Sequence, residues 1–221
     1  MTDRLAAKRR AAEASLAYVK DGMRVGLGTG TTAELVIGLI AERGLKITAV
    51  PTSRRTARLA EAAGIPVTDF TSGLRLDLTI DGADEVDPHL NLLKGRGGAL
   101  LYEKIVAVAA DVFVVVVDGS KRVANLGAVP LPVEVIPFAA PRIQAAISAM
   151  GAVVTTRLTA SGNPFRTQAG HQILDAAFGT IYDPAGMAAE LDGLAGVVEH
   201  GLFLGLASHV LVAEADQVLT L

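Results

Sequence analysis

Residues 112–117 read Val-Phe-Val-Val-Val-Val, an unbroken run of β-branched and aromatic side chains. Side chains alternate across a strand, so a strand with no polar position must be covered on both faces. That condition is met in the middle of a parallel sheet with helices on each side. The run is far short of the roughly 18 apolar residues that a membrane span needs, as is every other apolar run in the chain.

The first half of the chain supplies neighbours for such a strand. Leu5, Ala12, Leu16 and Val19 recur at helical spacing, and Asp21-Gly22 ends the segment. Residues 24–27 read as a strand, and a helical pattern runs through Leu35, Ile37, Leu39 and Ile40. Residues 47–50 read as a second strand, 56–63 as a helix closed by Gly64, and 65–67 and 76–80 as further strands. Strands alternating with helices argue an α/β fold with a parallel, doubly wound sheet, whose ligands bind beyond the carboxyl ends of its strands.

The character changes at Val129-Pro130-Leu131-Pro132. From there strand (133–136), helix (142–150), strand (152–157), strand (172–177), helix (184–191) and strand (197–201) follow one another. This β-α-β-β-α-β order predicts a small split α+β insertion. Residues 210–221 alternate well enough to be one strand rejoining the main sheet. The expected division is therefore 1–128 with 203–221, and 129–202.

A net charge of -3 gives no basic footprint for nucleic acid. With 4% aromatics and no Trp, the core must be aliphatic. The absence of Cys excludes disulfide and thiolate chemistry and favours a cytoplasmic address. The N-terminus is charged from its third residue, which is not the pattern of a secretory signal.

Two glycine loops carry the chemistry. Gly28-Thr29-Gly30-Thr31-Thr32-Ala33 lies between a strand and a helix, an arrangement that points N–H groups and a helix N-terminus at an anion. It also matches the Gly-x-Gly-x-x-Ala dinucleotide fingerprint. That fingerprint wants an acid after the next strand, where this chain has Pro51-Thr52-Ser53-Arg54-Arg55. This argues against NAD and leaves NADP open. A phosphate-bearing small molecule is the leading reading, with a dinucleotide or a purely structural turn behind it.

The second region runs from Leu76 to Ala107. An acidic turn holds Asp81, Asp84, Glu85 and Asp87; then come Lys94, Gly95-Arg96-Gly97-Gly98 and an apolar segment carrying Glu103. A carboxylate base with an ammonium to meet an oxyanion is the minimal kit for removing a proton next to a carbonyl. The Thr loop, the Asp81 turn and Lys121, which follows the 112–117 strand, would share one edge of the sheet.

Blander readings stand beside these. Lys8, Arg9 and Arg10 read as a solvated face, Glu85 as solvated, Asp87-Pro88 as turn chemistry, and Glu103-Lys104 as a surface pair. Asp81 and Asp84 would also suit a divalent cation, against which Lys94 would compete. His89, His171, His200 and His209 have no metal-ligand spacing.

In the segments GLGTGTTA (26–33), DGADEVD (81–87), LKGRGGALLYEKIVA (93–107), DGSK (118–121), LPVEVIP (131–137) and GVVEHGLF (196–203), the chain resembles the ribose-5-phosphate isomerase A family. The resemblance spans most of the chain in order and spacing. It implies a Rossmann-like, mostly parallel domain with a smaller α+β (ferredoxin-like) domain. It further implies a cofactor-free, metal-free aldose–ketose isomerase acting on a sugar phosphate, as a homodimer or homotetramer. Glu103 matches the family's base, Asp81 and Asp84 the acids that assist ring opening and handle hydroxyl protons, and Lys94 the group facing developing negative charge. Thr29, Gly30, Thr31, Thr32, Gly82, Ala83, Gly95, Arg96, Gly97 and Lys121 match substrate and phosphate contacts, and Lys8 aligns loosely with a basic phosphate ligand.

Two departures matter. Arg96 stands where the family often has Gly. Thr167-Gln168-Ala169-Gly170-His171 stands where it usually reads Thr-Asp-Asn-Gly-Asn, which leaves open a paralogue working on another sugar phosphate. A non-catalytic sugar-phosphate sensor is a third reading.

Overall fold

A computed structural model describes residues 2–71, 73–214 and 217–221. The first elements are α1 (Thr2–Ser15), β1 (Arg24–Leu27), α2 (Thr31–Glu42), β2 (Thr48–Pro51), α3 (Arg54–Ala62) and β3 (Leu78–Asp81). Then come β4 (Glu85–Val86), β5 (Leu92–Leu93), α4 (Leu100–Val108), β6 (Phe113–Asp118), β7 (Leu131–Val135), α5 (Ala140–Ala149) and β8 (Val153–Thr156). The chain finishes with β9 (Gln172–Ala177), α6 (Pro184–Asp192), β10 (Val197–His200), β11 (Leu202–Phe203), β12 (His209–Glu214) and β13 (Gln217–Thr220). The chain divides into two compact units, one of Met1–Ala83, Tyr102–Arg122 and Leu206–Leu221, the other of Asp84–Leu101 and Val123–Gly205.

The first unit is built on a six-stranded sheet in the order β13-β12-β6-β3-β1-β2, parallel except where β13 returns against β12. Every residue of β6 is buried, as its unbroken apolar run requires. The order reverses between β1 and β3, the topological switch point at which doubly wound sheets bind their ligands. Val25, Leu27, Val36, Ile40, Ile80, Val114 and Leu211 lie in its aliphatic core.

Two expectations for this sheet need correcting. The tail is not one strand but the β12–β13 hairpin, which places an antiparallel edge strand on the sheet. Residues 65–67 make a single parallel bridge, Ala49 to Val67, because too few residues align there to extend a ladder.

In the second unit, β7, α5, β8, β9, α6 and β10 form a four-stranded antiparallel sheet in the order β10-β7-β9-β8 with two helices. The β-α-β-β-α-β reading holds, with its last strand beside its first. Leu131, Val133 and Val135 of β7 point into a core with Ile143, Ile147, Leu174 and Leu191. A small third sheet, β11-β5-β4, was not legible in the sequence, since its strands are two residues each. No helix among the described residues is long and apolar enough to cross a membrane.

Candidate active site

In the first unit, β1, β3 and β6 run parallel and adjacent, so their carboxyl ends deliver Gly28, Asp81 and Asp118 to one edge. Asp81 is buried, and its Oδ1 accepts the N–H groups of Gly82 at 2.7 Å and Thr29 at 3.2 Å. The approach is so close that a Cβ at Gly28 would fall on the Asp81 carboxylate; only glycine fits there. Gly30 takes φ +111° and begins α2 without a side-chain cap, so the first N–H groups of the helix are left for an anion.

The loop is held from beneath by two threonines that sequence reasoning missed. Buried Thr52 donates to the Leu27 carbonyl at 3.2 Å and its Oγ1 lies 2.8 Å from Thr29 Oγ1. Buried Thr56 donates to the Gly28 carbonyl at 2.8 Å. The available signal was the hydroxyl-rich Thr52-Ser53 after β2; it was read only as the absence of a ribose-binding acid. Thr31 and Thr32 open α2, and Lys8 Nζ donates to Thr31 Oγ1 at 3.0 Å in an exposed contact. Lys121 closes a short turn after β6, capped by Asp118 accepting the Ser120 N–H at 3.1 Å.

Glu103 lies on α4 with side-chain neighbours Val106 and Ala107 at helical spacing, and all three are buried. The helix is pinned to the sheet: Thr79 Oγ1 donates to the Val106 carbonyl at 3.2 Å, and a Cβ on Gly26 would collide with Thr79 and Val106. Glu103 is 5% exposed and therefore not a solvated surface group. Burying a carboxylate is costly unless it is hydrogen-bonded or paired, so its place on this helix is specified by its surroundings.

In the second unit, β5 delivers Lys94, only 3% exposed. Its backbone N–H donates to Gly201 O at 2.8 Å, and its ammonium lies 5.5 Å from the Phe203 ring centroid, within cation–π range. The turn that follows is closed by the Gly98 N–H donating to Gly95 O at 3.0 Å, with Gly95 at φ +104°. Gly97 and Arg96 are exposed in this turn, and Arg96 has no positive φ, so a side chain is tolerated there. Asp84 Oδ2 accepts the Arg96 N–H at 3.0 Å. Half-exposed Gly82 and Ala83 link Asp81 to Asp84.

Glu85 corrects the solvated reading. It is buried, and its two oxygens accept the N–H groups of Gly127 and Val129. Asp87 does perform turn chemistry, accepting the N–H groups of His89 and Asn91. The departure at 168–171 is a turn in which His171 Nδ1 meets buried Glu134 Oε1 at 2.9 Å, as does the Thr167 hydroxyl at 2.8 Å.

The chain is similar to known proteins over nearly its whole length. The profile of the family described as Ribose 5-phosphate isomerase A (phosphoriboisomerase A) matches residues 48–217. A ribose-5-phosphate isomerase A of Agrobacterium fabrum is 52% identical over 215 residues, covering 93% of each chain. One from Roseiflexus castenholzii is 49% identical, covering 97% of this chain and 94% of its own. Among solved structures, a D-ribose-5-phosphate isomerase in complex with phospho-erythronic acid superposes with a TM-score of 0.95 at 39% identity, over 99% of this chain and 98% of its own. The ribose 5-phosphate isomerase A of Neisseria gonorrhoeae gives 0.94 at 35% identity, over 100% and 98%. The chain belongs to the ribose-5-phosphate isomerase A family.

Proposed function

We propose that this protein interconverts D-ribose 5-phosphate and D-ribulose 5-phosphate, the aldose–ketose step of the non-oxidative pentose phosphate pathway. The observation that carries the reading is Glu103, a carboxylate 5% exposed on a helix pinned to the sheet. Glu103 removes the proton from C2, giving a cis-enediol(ate), and returns it to C1. Asp81 and Asp84 assist ring opening and move the hydroxyl protons. Lys94, with the Gly95–Gly97 turn, faces the oxygen on which negative charge develops.

Thr29, Gly30, Thr31, Thr32, Lys121 and Lys8 hold the phosphate, and Gly82, Ala83 and Arg96 line the sugar. A general base contributes about 10²–10⁴-fold and an aimed oxyanion donor about 10²–10³-fold, so a carbon acid needs both. Hydrogen moves as a proton throughout, so the reaction calls for no nicotinamide, and Lys94 supplies the positive charge that a metal would otherwise bring to the oxygen. The protein works in the cytoplasm as a homodimer or homotetramer, with its catalytic domain formed by 1–128 and 203–221 and its small domain by 129–202.

Glu103→Gln tests the mechanism. It should abolish turnover in a coupled assay while leaving binding of ribose 5-phosphate largely intact; near wild-type activity would refute the assignment. Activity should survive exhaustive chelation, and a metal requirement would overturn the role given to Lys94. Light scattering on the eluted peak of a sizing column decides between dimer and tetramer, and a monomer would refute both.

A further inference from the structure

We infer that Arg157 is a positioning residue for the reaction, acting through the turn that carries Lys94. The inference rests on the isomerase reading above. Arg157 follows β8, and its guanidinium is held by Asp175 of β9, with Nε 2.9 Å from Oδ2 and Nη2 on Oδ1. Its third nitrogen, Nη1, donates to the carbonyl oxygens of Gly95 at 2.9 Å and Arg96 at 3.0 Å. A planar fork that grips a carboxylate on one side and two carbonyls on another is a task for Arg and not for Lys, whose ammonium is a single point of donation.

The Gly95 carbonyl and the Arg96 N–H belong to one planar peptide unit. Its oxygen is gripped by Arg157, and its N–H donates to Asp84 Oδ2 at 3.0 Å. That peptide therefore links Arg157 to an acid proposed to move hydroxyl protons, one residue beyond the lysine proposed to face the oxyanion. It needs such a grip because Gly95, at φ +104°, is the residue with the widest backbone freedom. If the peptide turned over, the Gly95 carbonyl would face the Asp84 carboxylate in place of an N–H donor.

The Arg157 and Asp175 side chains are 16% and 22% exposed, so solvent screens their pairing only in part. Both line a cavity of about 430 Å³ together with Asp84, Arg96, Thr155 and Pro132. The guanidinium thus stands at the wall of an open space and not as a strut inside the core. Nothing in the sequence motifs pointed to it.

The test uses the full chain with Arg157→Lys. The kcat on ribose 5-phosphate should fall about tenfold or more while KM stays within about threefold. Inhibition by phospho-erythronic acid, whose carboxylate resembles the enediolate, should weaken about tenfold, while inhibition by inorganic phosphate stays within about twofold. Inhibition constants do not depend on how much of the sample is folded, so a merely structural role would not produce this split. If Arg157→Lys does not fold, Asp175→Asn keeps the guanidinium, loosens its fork and should shift the same two constants apart by a smaller factor.

Unchanged kcat and inhibition in the folded variant, or equal weakening of both inhibitors, would overturn the inference. Failure of the wild-type protein to isomerise ribose 5-phosphate would instead refute the isomerase reading, before any variant is compared.

Discussion

The Glu85 carboxylate and the Gly127 amide, 42 residues apart in the chain, are joined at 2.6 Å inside the second unit. The other oxygen of Glu85 takes the Val129 N–H at 2.7 Å, so one side chain fastens the acidic turn after β3 to the segment that leads into β7. Glu85→Ala removes a charged acceptor from two amides, one of them on a buried residue. Hydrogen bonds to a charged group are worth about 1.5–3 kcal/mol each, and a buried donor left unmatched adds to the loss. The variant should be destabilised by roughly 3 kcal/mol in urea unfolding, and Glu85→Gln by less, since its amide oxygen still accepts one bond. A loss under about 0.5 kcal/mol in Glu85→Ala would contradict this anchoring role.

Glu85 also marks the limit of what the sequence could tell. Strands and glycine turns were legible because period, β-branching and turn residues are local properties, and the unbroken run in β6 alone demanded a covered parallel sheet. The candidate acids and Lys94 were legible because they sit beside glycine loops. Glu85 was misread because a carboxylate in an acidic turn looks solvated unless its donors, 42 and 44 residues away, are known. Thr52, Thr56 and Arg157 escaped for the same reason: each acts on a backbone group remote in the chain.

Gly28 is the position where the proposed phosphate loop and Asp81 approach too closely for any side chain. Gly28→Ala must push the Asp81 carboxylate away from the N–H groups of Thr29 and Gly82 that now fix it. A displacement of about 1 Å in a reacting group can cost on the order of 10²-fold. The kcat of Gly28→Ala should fall by about that factor, with the far-UV spectrum unchanged. Wild-type turnover in the folded variant would show that the placement of Asp81 does not matter.

Lys8 reaches Thr31 from α1, and both belong to the proposed phosphate end. A partly exposed ammonium contributes about 0.5–1.5 kcal/mol through such a bond. Lys8→Ala should therefore raise KM for ribose 5-phosphate roughly 2–10-fold and leave kcat within about twofold, because the reacting carbons lie at the other end of the sugar. The effect should shrink as salt is added. A kcat loss with unchanged KM would place Lys8 elsewhere in the reaction.

His171 stands where the family usually has Asn, and its side chain meets Glu134. Glu134 on β7 is 1% exposed and takes its hydrogen bonds through Oε1, from the Thr167 hydroxyl and from His171 Nδ1. The Thr167 hydroxyl in turn accepts the His171 N–H at 3.1 Å, which closes the turn. The carboxylate needs a donor at position 171, and an Asn side-chain amide supplies one as well as an imidazole does. His171→Asn should therefore leave stability within about 1 kcal/mol, whereas His171→Leu strips a partner from a buried carboxylate and should cost about 1–3 kcal/mol. If the departure at 168–171 is only a different way of serving Glu134, wild type and His171→Asn will rank tetrose, pentose and hexose phosphates in the same order, with ribose 5-phosphate first. A change of preferred sugar between the two would assign this turn a part in specificity and reopen the reading of the chain as a paralogue with another substrate.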